Sequence, residues 1–131
     1  MDFNDEGRAK EGCLMPSISY HTRNSINSII KHTCDMNGVP WLASLINFRF
    51  NNKLTSTWGK AHGDKKLIEL STLMWLARPE ERYDTVVHEV CHIIVWYKHG
   101  SRVKHHGKEW RECMRHAKVN PKVGADGSIT V

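Results

Sequence analysis

Between Val86 and Tyr97 nearly every residue is apolar, and the exceptions are His88, Glu89 and His92. A run of this kind reads as a buried helix, so the fold has to bring two imidazoles and a carboxylate into its interior. Burying such groups without partners costs several kcal/mol, and one metal ion satisfies them together. At about 100° per residue His88 and His92 stand only about 40° apart on the helix, so both rings reach one point. Glu89 projects from the same side, a little further round. Zinc suits this HExxH ligand set: it binds water, lowers the water's pKa toward ~7, and the glutamate takes the proton as the water attacks a carbonyl. With nine histidines in 131 residues, a chance HExxH has odds of about 4%, so the apolar setting weighs more than the pattern.

The rest of the chain supplies one small domain around that helix. A length of 131 residues allows a single core, and ordinary apolar and charged content excludes disordered and low-complexity classes. Residues 1–16 are polar, contain Gly7 and Gly12 and close with Pro16, which reads as a loose N-terminal arm; residues 17–131 form the domain. Ile18, Ile26, Ile29, Ile30 and Cys34 recur at helical spacing from about Ser17 to Asn37, and Gly38 with Pro40 supplies the stop. Ile46, Phe48 and Phe50 then alternate with Asn47, Arg49 and Asn51, the period of a half-buried strand. Further strands are expected over Thr55–Ala61 and around Leu67, Ile68 and Leu70. Tight connections between them predict a three-stranded antiparallel sheet. Pro79, Glu80 and Glu81 open the buried helix and Gly100 closes it. A last helix starts near Gly107 with Trp110, Cys113, Met114 and Ala117 on one face, and Pro121 ends it.

A catalytic zinc takes three protein ligands and leaves a fourth position open. Candidates for the third are His99, His105, His106, Glu109, Glu112 and His116. The metzincin arrangement is excluded, because Val95 and Lys98 stand where it needs Gly and His. Glu112 lies twenty residues after His92 but about 200° round the last helix from Trp110, toward solvent. His106 is preferred, since it immediately precedes the last helix, where a turn can fold it back over the first two ligands.

Charge is concentrated in the same region. The formal net charge of +5 resolves into +6 on residues 98–122 and −1 on the remainder. Lys98, Arg102, Lys104, Lys108, Arg111 and Arg115 are therefore candidate nucleic-acid contacts, and Trp58 or Trp75 could stack on unpaired bases. Each tryptophan is more often core. The four cysteines include no CxxC pair, the N-terminus lacks an apolar leader, and no stretch approaches a membrane span. The expected setting is intracellular, cytoplasmic or nucleoid-associated, or nuclear in a eukaryote, with reduced thiols, no membrane partner and a monomeric state.

His88-Glu89-Val90-Cys91-His92 followed by His106-Gly107-Lys108-Glu109-Trp110 resembles the SprT family of metallopeptidases, which includes the Spartan proteases. Asn47-Phe48-Arg49, Thr57-Trp58-Gly59-Lys60-Ala61 and Ile68-Glu69-Leu70-Ser71 match the family's strand motifs in order, so the resemblance covers roughly residues 20–120. It implies an α+β, zincin-like fold, one catalytic Zn2+ on His88, His92 and His106, and Glu89 as the catalytic residue. Gly107 would allow a tight turn behind the third ligand, and Trp110 would pack the last helix onto the HExxH helix. His105 would be an alternative ligand or a donor to one. Members often carry a C-terminal zinc ribbon; with one cysteine after Cys91, none is expected within these residues. The family's role, cleavage of proteins crosslinked to DNA with DNA as activator, makes a zinc endopeptidase with DNA as partner the first expectation. A DNA-binding or protein-binding module with a structural or inactive zinc site is the second, and Glu89 argues against it.

Overall fold

Helix α1 (Tyr20–Met36) opens the part of the chain that the computed structural model describes, residues 20–119. The expected arm, the residues before Tyr20 and the stop at Pro121 lie outside the described residues, as do the side chains of Tyr20, His21 and Trp75. The order of elements is α1, a 3₁₀ helix Pro40–Leu45, β1 (Asn47–Asn51), β2 (Gly59–His62), β3 (Leu67–Ser71), α2 (Pro79–His99) and α3 (Lys108–His116), with short 3₁₀ turns between them. This is an α+β arrangement.

α1 buries Ile26, Ile30, Thr33 and Cys34 and stops at Gly38, whose φ of +74° lies in the left-handed region that glycine adopts freely. α2 begins with Pro79, and the Glu81 carboxylate accepts the Arg78 backbone N–H at 3.0 Å. It is the central element: α1, α3 and the sheet all pack against it. Val86, Val87, Val90, Cys91, Ile93 and Ile94 are almost fully buried there. At about 1.5–3 kcal/mol for each large aliphatic side chain, that stripe offsets the cost of carrying His88 and Glu89 inside. α3 ends earlier than the sequence pattern implies, because Lys118 takes a positive φ of 66° and the Val119 N–H reaches back to the Met114 carbonyl at 3.0 Å.

The sheet differs from the expected antiparallel one. It is mixed, in the order β1-β3-β2, with β1 parallel to β3 and β2 antiparallel to β3. The short turn through Gly63–Lys65 and left-handed Lys66 does give β2 and β3 an antiparallel pairing. The loop between β1 and β2, however, crosses the end of β3. Ser71 holds that crossing: its hydroxyl donates to the Leu54 carbonyl at 2.7 Å and its N–H to the Trp58 carbonyl at 2.7 Å. β3 thus slots between its predecessors, and β2 becomes an edge strand alongside α2.

Across the face of the sheet turned away from α2, one carboxylate ties all three strands. Glu69 of β3 accepts from Arg49 Nε at 2.8 Å and Nη2 at 2.6 Å, and from His62 Nε2 at 3.0 Å. The His62 hydrogen bond, then the Arg49 hydrogen bonds and charge, hold the Glu69 carboxyl down at about 2 from its ordinary 4.5. The folded-state pKa is lowered, so this stabilisation is complete above about pH 4.5 and is lost as pH falls toward 2. Glu69→Gln is expected to cost on the order of 2 kcal/mol at pH 7, after allowance for the solvent around Arg49, and to flatten the acid limb. Urea unfolding between pH 2 and 7 measures both; an acid limb identical in the two proteins would contradict the assignment.

Candidate metal centre

Two turns of α2 place the first donors. His88 is buried and His92 half-buried, one helical turn apart, and their Nε2 atoms lie 3.1 Å from each other. The third donor arrives from the loop after α2. Gly100, with φ +75°, ends the helix, and the Gly107 N–H closes a turn on the Lys104 carbonyl at 3.1 Å. That turn points His106 back at α2, with its Nε2 3.2 Å from those of both His92 and His88. Gly107 has an ordinary extended backbone, and what it supplies is room: a Cβ there would stand 3.0 Å from Lys104 Cβ.

Three ring nitrogens aimed at one point bring three lone pairs together, and a cation resolves that convergence. A metal at the ~2.0–2.1 Å typical of imidazole ligands holds tetrahedral donors roughly 3.3 Å apart, close to the separations found here. Among the described residues this is the one group of three or more His, Cys, Asp or Glu side chains arranged to hold a metal ion. Burial first, and then the neighbouring His88, His105 and His106, hold His92 far down, at about 2, so its imidazole is neutral, the form that ligates.

α3 braces the cluster. Trp110 is fully buried, donates its indole N–H to the His88 carbonyl at 3.3 Å, and lies 4.7, 5.6 and 4.7 Å from the rings of His88, His92 and His106. Arg111 Nε donates to the His106 carbonyl at 3.2 Å and so fixes the loop carrying that ligand. The sequence pattern marks Trp110 for packing only and Arg111 for its charge alone.

Glu89 is buried at 2% exposure, beside the first strand residue of β2. A Cβ on Gly59 would lie 3.1 Å from Glu89 Cγ and 3.2 Å from its Oε2, so glycine at this point makes the space for the carboxylate. A glycine inside a strand motif was the available signal. The other ligand candidates go elsewhere. His105 stacks on the His92 ring at 4.0 Å and 15°. His116 pairs with Asn37 Oδ1 at 3.0 Å, and Glu109 and Glu112 line a separate cavity with Lys98 and His99.

The basic residues divide. Lys98 donates to the Asn37 carbonyl at 3.0 Å, Arg102 and Lys104 are exposed in the loop, and Lys108, Arg111 and Arg115 share one face of α3, with Arg111 held by His106. Trp58 is buried at 6% exposure, in the core. Cys34, Cys91 and Cys113 are buried free thiols; burial and the nearby Cys113 and Asp35 push Cys34 up to about 12. Among the described residues no helix is long and apolar enough to cross a membrane.

The sequence model of the SprT-like family matches residues 26–127. Over 57 residues the chain is 42% identical to Protein SprT of Klebsiella pneumoniae (strain 342), a match covering 43% of this chain and 34% of that protein. Over 58 residues it is 36% identical to Protein SprT of Pseudomonas paraeruginosa (strain DSM 24068 / PA7), covering 44% of this chain and 35% of the relative. The matched stretch therefore spans about a third of the curated relatives' length. No solved structure matches the chain.

Proposed function

The chain belongs to the SprT-like family, and from that premise we propose that it is a zinc-dependent endopeptidase of zincin-like architecture, acting on proteins bound or crosslinked to DNA. The observation that carries this reading is the convergence of the His88, His92 and His106 Nε2 atoms within 3.2 Å, with the buried Glu89 on the next residue of the same helix. Three imidazoles fit zinc and leave a coordination position open, whereas a structural zinc site is closed by four protein ligands. When bound, zinc supplies Lewis acidity, polarising a carbonyl and making water acidic enough to yield its proton near neutral pH.

The chain's own residues do the rest. β2 pairs with β3 on one side only, so its other edge can receive an extended peptide by main-chain hydrogen bonds. Gly59 brings that edge directly against Glu89. The Glu89 carboxylate takes a proton from the attacking water as the new C–O bond forms. It then returns that proton to the peptide nitrogen as the C–N bond breaks, leaving a carboxylate and an amine. Trp110 and Arg111 hold the backbone carbonyls of His88 and His106 in place.

The DNA half of the proposal rests on the exposed cations flanking the centre, chiefly Arg102, Lys104, Lys108 and Arg115. Binding through phosphates makes log K fall linearly with log salt, by about 0.7 per neutralised phosphate on single strands and about 0.9 on duplex. The double variant Lys108→Ala, Arg115→Ala is expected to weaken DNA binding at every sequence and to shallow that slope by about 1.4 on single strands and about 1.8 on duplex. Fluorescence anisotropy at 50–200 mM salt checks it, and salt-independent binding would contradict it. The enzymatic half is tested by incubating zinc-loaded protein with a DNA-bound protein, with and without single-stranded and duplex DNA, beside Glu89→Gln.

A further inference from the structure

Beside His92 a cavity of about 300 Å³ opens between the edge strand and the end of α2. Ala61 and Gly63 line it from β2 and its turn, Val95 and Trp96 from α2, and Val103 and His105 from the loop. Gly63 lets the Trp96 side chain lie directly on the backbone, since a Cβ there would come within 2.5 Å of Trp96 Cγ. Trp96 thus forms a wall that is still 39% exposed. His92 and His105, whose rings stack, line the cavity on the side of the metal centre. Of the residues that line the cavity, Lys104 alone carries a formal charge, and no carboxylate is among them.

Position along the strand connects this cavity to the scissile bond. Gly59 faces Glu89, and Ala61, two residues on and on the same face of β2, faces the cavity. Two strand residues span roughly 6.6 Å, so a peptide lying along β2 with its carbonyl at the metal centre puts a neighbouring side chain at the cavity mouth. We propose that this cavity is a specificity pocket which takes a substrate side chain next to the scissile bond, selecting large aromatic or aliphatic groups and rejecting lysine and arginine. The inference rests on the endopeptidase reading above. An indole wall with valine neighbours rewards an apolar or planar group. A cationic side chain entering there meets Lys104 and the metal with no acid to pair it.

Two assays on the zinc-loaded full chain separate the pocket from the activity. In the first, calorimetry compares phenylalanine, glycine and lysine hydroxamates, which chelate zinc and present one side chain each. Phenylalanine hydroxamate is expected to bind about tenfold more tightly than the glycine compound, and the lysine compound no better than glycine. Trp96→Ala, which removes the wall, and Ala61→Leu, which fills the space, are each expected to reduce the phenylalanine preference below about threefold. Zinc content and circular dichroism confirm that both variants stay folded and loaded. In the second, a pooled peptide library is digested and its cut sites mapped by mass spectrometry, with enrichment of Phe, Tyr, Leu and Met at one fixed position expected and lost in Trp96→Ala. Cleavage with a flat profile, or a preference unchanged in both variants, overturns the pocket and leaves the endopeptidase standing. Hydroxamate selectivity without any peptide cleavage overturns the endopeptidase and leaves the pocket. Neither binding nor cleavage by the loaded protein overturns both.

Discussion

Glu89→Gln is expected to retain one zinc per chain and to lose peptide-bond cleavage by about a thousandfold, the middle of the range that a positioned general base contributes. The substitution is close to isosteric, which matters because Glu89 is buried against Gly59 with little slack: a single Cβ there would already stand 3.1 Å from Glu89 Cγ. Gln fills the same volume, so α2 and the three imidazoles keep their places. What disappears is the ability to accept a proton from water and hand it to the leaving nitrogen. Metal analysis and a gel-based cleavage assay on the same preparation check both halves. Equal cleavage by the two proteins would remove Glu89 from the role assigned to it.

His106→Ala is expected to weaken zinc binding by about a thousandfold, since one of three ligands is lost from a site whose free energy is shared among few bonds. His106 is the ligand of choice for this test because it sits in the loop, whereas His88 is embedded in the packed face of α2 and its removal would also open a hole in the core. Trp110 and the remaining α2–α3 contacts stay in place, so the variant folds. The wild-type protein gains stability on zinc addition as RT ln(1 + [Zn]/Kd), about 2.7 kcal/mol at a hundredfold excess over Kd. His106→Ala is expected to gain almost none at the same zinc concentration. A competition titration with a chelating dye gives the affinity, and thermal unfolding with and without zinc gives the linkage; an unchanged Kd would exclude His106 as a ligand.

How much of this was legible beforehand follows from which features are periodic. α2 announces itself through an apolar run interrupted at His88, Glu89 and His92, and helix geometry alone puts two of those imidazoles together. His106 was reachable because a turn before α3 has few ways to fold back over α2. The choice between His105 and His106 depended on a backbone detail with no period, the Lys104 to Gly107 turn that aims one ring inward and stacks the other on His92. The order of the sheet was not legible for the same kind of reason. Alternation in β1 says that it is a half-buried strand, but the loop that Ser71 pins across β3 decides which strands are neighbours. Gly59 and Trp110 acquire their relation to the metal centre from contacts between elements far apart in sequence, and Arg111 from the way the preceding loop folds back on α3, neither of which a periodic pattern encodes.

In the proposed reaction a metal held by His88, His92 and His106 acts with Glu89 to add water across a peptide bond. Digesting an unfolded protein with the zinc-loaded chain in ¹⁸O-labelled water, and weighing the products by mass spectrometry, tests it most directly. New C-terminal carboxylates carrying ¹⁸O are expected from the wild-type protein, and no products from Glu89→Gln or from protein stripped of zinc. Labelled products at equal yield in all three, or none from wild-type protein carrying one zinc per chain, would contradict it.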